Sequence, residues 1–96
     1  MTETPRRAIV PPMIYLPVQA AGQERFVALR RPLADGRMSL IAFSALDRLV
    51  DACGDHQAWV CVNISETEDI RAETPFDVVV LDPDVPASAV RDGRLA

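Results

Sequence analysis

Lysine does not occur in this chain: all 10 basic residues among its 96 are arginine, set against 14 aspartates and glutamates for a net charge of -4. That balance has the wrong sign for holding phosphate backbones or anionic lipid, so neither nucleic acid nor membrane is expected as a partner. Abundant alanine and valine accompany the arginine, a combination that reads as the mark of a GC-rich genome rather than of anion recognition. Histidine occurs once, as His56, so a nucleophilic Ser-His-Asp or Cys-His arrangement has only one base to draw on. The 4 glycines form neither G-x-G-x-x-G nor a Walker sequence, which leaves a phosphate cradle unsupported. No apolar run approaches the ~20 residues that a membrane-spanning helix needs. Pro11, Pro12 and Pro17 break the stretch after Arg6-Arg7 that could act as an export signal, and no A-x-A-like site follows. With only 2 cysteines, Cys53 and Cys61, the expected setting is the cytoplasm with both thiols reduced.

What is present is the make-up of one small globular domain: 49% hydrophobic and 25% charged residues in a chain too short for a second core. There are no internal repeats or low-complexity tracts. Residues 1–12 are read as a flexible N-terminal segment, 13–86 as the folded domain and 87–96 as a polar C-terminal tail with at most a helical turn. Met13 to Val18 is short and apolar and predicts a strand, demoted toward a sheet edge by Pro17. Arg25 to Leu33 and Arg37 to Phe43 predict two further strands, joined through the turn signal Asp35-Gly36. Pro32 decides between hairpins. A two-residue loop would put it in a hydrogen-bonded pair it cannot complete, whereas a four-residue loop, Ala34 to Arg37, closed by Leu33 and Met38, turns its missing N–H away from the partner strand. Pairing Val18 with Arg25 then sets Pro32 opposite Pro11.

Ser44 to Gly54 predicts a helix, with Ser44 as N-cap, Asp47 at the third position, a stripe of Leu46, Leu49, Val50 and Cys53, and Gly54 past the end. Ala58 to Ile64 predicts a fourth strand. Ser65-Glu66-Thr67-Glu68 matches a capping box ahead of a short solvated helix. Phe76 to Leu81 is almost continuously apolar and predicts an interior, central strand. The order is β-β-β-α-β-α-β: an α+β single domain with a mixed five-stranded sheet and helices packed on it. The aromatics Tyr15, Phe26, Phe43, Trp59 and Phe76 all fall in or beside these strands and are read as core rather than as base-stacking platforms.

Three groupings could carry chemistry. Cys53-x-x-His56-x-x-x-x-Cys61, with Asp51 or Asp55 as a fourth ligand, fits no standard zinc spacing and reads as two buried cysteines flanking a surface histidine. No metal or other cofactor is expected. Glu66, Glu68, Asp69 and Glu73 read as a solvated helix face whose early acids suit the dipole. Arg30 and Arg31 lie next to each other on a strand and therefore point to opposite faces, one to solvent and one to a side where it needs an acid or a carbonyl.

Ile14-Tyr15-Leu16-Pro17-Val18, Asp35-Gly36-Arg37, Ile41-Ala42-Phe43-Ser44-Ala45-Leu46-Asp47-Arg48-Leu49, Trp59-Val60 and Val80-Leu81-Asp82-Pro83 together resemble the SseB protein N-terminal domain family. The likeness is nearer to its small single-domain actinobacterial members. It spans roughly residues 13 to 86 and rests on turns and core positions. It implies an α+β domain of poorly defined role, with no catalytic residues to carry over. The expectation is a non-enzymatic protein-interaction or regulatory module that binds a protein or self-associates through the sheet surface or the edge near Met13 to Val18. The rival is a small-molecule-binding domain or minor enzyme with Arg30 or Arg31 and the Asp55-His56 loop lining a pocket.

Overall fold

The computed structural model describes residues 12–20 and 26–95. The segment 1–11 and Arg25 lie outside those residues, and with Pro11 the expected Pro32–Pro11 pairing; the expected Val18–Arg25 pairing does not form, because Val18 faces Ala28, three residues further along. The chain is α+β, but its strands do not form one five-stranded sheet. Among the described residues there are two three-stranded sheets, β2-β1-β5 and β3-β4-β6, and a two-stranded ribbon, β7-β8. The strands are β1 (Met13–Ala20), β2 (Phe26–Ala28), β3 (Arg30–Pro32), β4 (Met38–Ala42), β5 (Trp59–Asn63), β6 (Val78–Leu81), β7 (Val90–Arg91) and β8 (Arg94–Leu95).

The split occurs at Leu29. The second expected strand is interrupted there, because Leu29 N–H donates to Pro17 O of β1 (3.0 Å) while Leu29 O accepts from Ile41 N–H of β4 (3.3 Å). In the β1–β2 register Pro17 faces Leu29, and Pro17 lacks the donor that would otherwise claim the Leu29 carbonyl. Below the fork, Tyr15 and Phe43 exchange backbone bonds of 2.9 and 2.8 Å. Strand β1 is therefore paired along both sides and is not the edge that Pro17 suggested. The proline is tolerated because its missing donor falls where the two sheets part.

Hairpin β3–β4 has a register one residue away from the expected one: Pro32 faces Met38 and Arg31 faces Ser39. Leu33 N–H donates to Arg37 O, and Leu33 O accepts from Gly36 N–H, closing a three-residue loop with Gly36 at φ 91. Such loops place a left-handed residue last, where glycine carries no Cβ penalty. Pro32 still occupies a non-hydrogen-bonded pair, so the constraint it imposes was read correctly although the loop length was not.

Alternation along β1 divides the core. Ile14, Leu16 and Val18 face one way with Ala28, Leu40, Ala42, Val62 and Phe76, and the partly buried Ile64 and Ile70 cover them. Ile70 belongs to helix α2 (Thr67–Glu73). On the opposite face Ile41 and Phe43 pack with Leu49 and Cys53 of helix α1 (Leu46–Cys53), against Tyr15, Leu29, Val85 and Leu95. The predicted apolar stripe of α1 thus meets the sheet, but its N-cap is Ala45 and provides no side-chain bond. Ser44 instead turns to Asp82, donating its N–H (2.9 Å) and its hydroxyl (2.7 Å) to the two carboxylate oxygens. The capping box also lies earlier than read. Asn63 Oδ1 accepts from Ser65 N–H, Glu66 Oε1 accepts from Asn63 N–H, and a 3-10 turn over Ile64–Glu66 leads into α2.

Strand β6 pairs parallel to β4 at the outside of its sheet, with Val78, Val79 and Val80 half-buried and Leu81 36% exposed. The continuous apolar run predicts a central strand, but among the described residues only one of its edges is paired. Trp59 (42% exposed), Phe26 (37%) and Cys61 likewise lie at the surface rather than in the core.

Asp82 holds φ 53 while its carboxylate serves Ser44 and stands 3.5 Å from Arg48 Nη1. Replacing it by alanine removes two charge-assisted bonds and keeps the left-handed backbone, for an expected loss of about 2–4 kcal/mol. Asp82→Asn, which tolerates that conformation and retains an acceptor, should lose less than half as much. Urea unfolding of the two variants measures the difference.

Candidate functional site

Residues 87–95, read above as a polar tail, hold the helical turn (Ala87–Ala89) and then fold back as the β7-β8 ribbon. Asp92 (φ 58) and Gly93 (φ 77) form its two-residue turn, the Asp-Gly pair that suits type I′ hairpins. The ribbon docks on the loop after α1. His56 N–H donates to Gly93 O (2.8 Å), and a Cβ on Gly54, itself at φ 113, would overlap that Gly93 carbonyl. Gln57 is buried, and its amide is fully used: Nε2 donates to Val18 O (3.0 Å) and Ala58 O (2.9 Å), while Oε1 accepts from Leu95 N–H (2.7 Å). One side chain thus ties β1, β5 and the ribbon together.

Leu95 inserts beside Leu29 at the fork and divides two grooves. The larger, about 540 Å³, is floored by Val18, Leu29 and Leu95 and rimmed by Gln19, His56 and Arg94. The smaller, about 190 Å³, runs along Leu29, Arg30, Arg31 and Ile41. The sequence suggests one pocket lined by Arg30 or Arg31 and the Asp55-His56 loop. They border two neighbouring grooves that share Leu29 and Leu95. The exposed Arg30 donates from Nη1 to Pro75 O (2.6 Å), whereas the half-buried Arg31, the one expected to need a partner, forms no salt bridge among the described residues. His56 is exposed, with Nδ1 3.3 Å from Asp92 O and 3.8 Å from Asp55 Oδ1. Arg94 and Gln57 were missed, although the Asp92-Gly93 turn signal between Val90-Arg91 and Arg94-Leu95 was there to be read.

The Cys53, His56 and Cys61 set does not converge. Cys53 is buried on the sheet-facing side of α1, Cys61 is exposed on β5, and among the described residues no three His, Cys, Asp or Glu side chains come together to hold an ion. A third hollow, about 320 Å³, lies between Arg48, Asp51 and the Asp82–Val85 turn, where Asp82 is already committed to Ser44. No helix among the described residues is long and apolar enough to cross a membrane. Compared with protein-family models, curated proteins and solved structures, the chain matches none.

The two thiols differ in chemistry because they differ in solvent. Burial pushes the Cys53 thiol up from its ordinary 9.0 to about 11, since the thiolate is penalised away from water. The folded chain therefore holds this proton longer than the unfolded one. Its contribution to stability is complete below pH 9.0 and is lost as pH rises through about 11. Alkylation of the native protein at pH 8 should modify Cys61 alone, with Cys53 reacting only after denaturation. Equal rates at the two sites would contradict this placement.

Proposed function

We propose that this chain is a small SseB-like domain of the actinobacterial, single-domain kind, acting in the cytoplasm without catalysis as a protein-interaction module, with a second copy of itself as partner. The residues behind the likeness serve folding: Asp35-Gly36-Arg37 turns a hairpin, Asp82 holds Ser44, and Leu49 fills the core. They carry no chemistry, in keeping with a binding role.

The observation that carries the reading is the outer edge of β5. In the β1–β5 register the backbone groups of Val60 and Val62 turn toward β1, so those of Trp59 and Cys61 turn outward. Among the described residues no strand pairs with that edge. The same two side chains share a face with Met13 and Tyr15: Trp59 and Met13 are each 42% exposed, and the Trp59 ring stands edge-on to Tyr15 at 5.7 Å. An uncharged edge with exposed aromatic surface is a template for another strand. A two-fold axis at Val60 would set Trp59 of one copy opposite Cys61 of the other and pair all four outward groups on each side. An axis at Cys61 would need Asn63 N–H, which Glu66 already holds. A second reading, small-molecule binding, is favoured by the groove between His56 and Arg94.

Light scattering after size exclusion should show a mass that rises toward twice 10.5 kDa with concentration. Emission of the single tryptophan, Trp59, should shift to the blue over the same range. Replacing Trp59 and Cys61 together by lysine should leave a folded monomer. A wild-type chain that stays monomeric at its solubility limit would overturn the proposal.

A further inference from the structure

Four arginines, Arg30, Arg31, Arg91 and Arg94, form no salt bridge with any described carboxylate, although the chain carries more acids than bases. Two of them face each other. Arg91 and Arg94 are the cross-strand pair that closes the Asp92-Gly93 turn, so their side chains rise from the same face of the ribbon. Like charges directly opposite on an antiparallel pair oppose each other's presence, and no carboxylate among the described residues forms a salt bridge with either. Asp92 lies in the turn itself, and Asp55, on the loop against which the ribbon docks, is 3.8 Å from His56 Nδ1. Neither makes a salt bridge to an arginine.

One member of this pair stands at the rim of the larger groove. Arg94 lines it, across from His56 and Gln19, over the apolar floor of Val18, Leu29 and Leu95. Its volume, about 540 Å³, falls in the range of sites for small organic molecules. The floor offers no polar group of its own, because the Gln57 amide is spent on Val18, Ala58 and Leu95. The geometry points to a binding site for a small amphipathic organic anion, whose carboxylate or phosphate head is held between Arg91 and Arg94 and whose apolar body lies on Leu29 and Leu95. A guanidinium fork suits such a head because it gives parallel N–H donors to two oxygens. The bound anion would also remove the repulsion within the ribbon, so that binding and docking of β7-β8 reinforce each other. This site is separate from the edge of β5, and either can fail without the other.

The test is an amide NMR titration of the full chain with phenyl phosphate, with inorganic phosphate and phenol as separate arms at constant ionic strength. Phenyl phosphate should shift the amides of His56, Gln57 and Leu95 saturably and bind more tightly than either half alone. Arg94→Gln should weaken it by about tenfold or more, as expected for the loss of a charge-assisted bond, and Arg94→Lys should restore part of the loss. Should Arg94→Gln disturb the ribbon, Arg91→Gln gives an independent measure: it should raise the Tm of the anion-free protein and reduce the Tm gain produced by phenyl phosphate. Absence of saturable shifts, shifts confined to β5, or an unchanged affinity in Arg94→Gln would overturn the proposal. Equal affinity for inorganic phosphate would overturn the amphipathic assignment.

Discussion

Leu29 gives its N–H to one sheet and its carbonyl to the other, and the rest of the architecture follows from that division. A hairpin that stayed zipped would carry β2 alongside β4 and leave β1 with one free side. Here the hairpin opens at Leu29, and β1 occupies the mouth, bonded to β2 above and to Phe43 below. Pro17 makes the fork self-consistent, since the residue facing Leu29 is the one that cannot ask for its carbonyl. Each backbone group at the branch point therefore finds one partner, as buried strands require.

The fork also creates the space in which the candidate site lies. Where the sheets part, the Leu29 side chain is left to pack with Leu95, and the ribbon enters there. Gln57 holds the ribbon through Leu95 N–H while its Nε2 is anchored on Val18 O and Ala58 O, an arrangement in which losing one partner strands a desolvated polar group at about 1–3 kcal/mol. Gly54 and Gly93 let the two backbones approach more closely than side chains would permit. The grooves on either side of Leu95 are thus consequences of how the chain closes, and their arginine rim is the part not explained by folding.

Much of the fold was legible because it depends on local pattern. The stripe of Leu46, Leu49, Val50 and Cys53 and the β-branched run at Trp59–Asn63 report a helix and a strand within their own windows. Pro32 correctly demanded a pair in which no N–H is needed. What the pattern could not report is which strands meet. Pro17 indicated an edge, yet β1 is internal because the proline faces a gap between sheets. Phe76–Leu81 indicated burial on both faces, yet β6 is an outer strand whose valines are half-covered. Ser44 looked like a cap because the acid that claims it, Asp82, is distant in sequence. The site was less legible still. Arg30, Arg31 and His56 were seen, but Arg94 and Gln57 gain meaning only when the ribbon returns to the fork.

Backbone hydrogen-bond couplings measured by NMR test this division directly. The account predicts a coupling from Leu29 N–H to the Pro17 carbonyl and another from Ile41 N–H to the Leu29 carbonyl, with cross-strand contacts Val18–Ala28 and Tyr15–Phe43 in the same spectrum. A Leu29 N–H coupled to Ile41, with Val27 next to Phe43 and no contact between Tyr15 and Phe43, would describe an unbroken hairpin and contradict it.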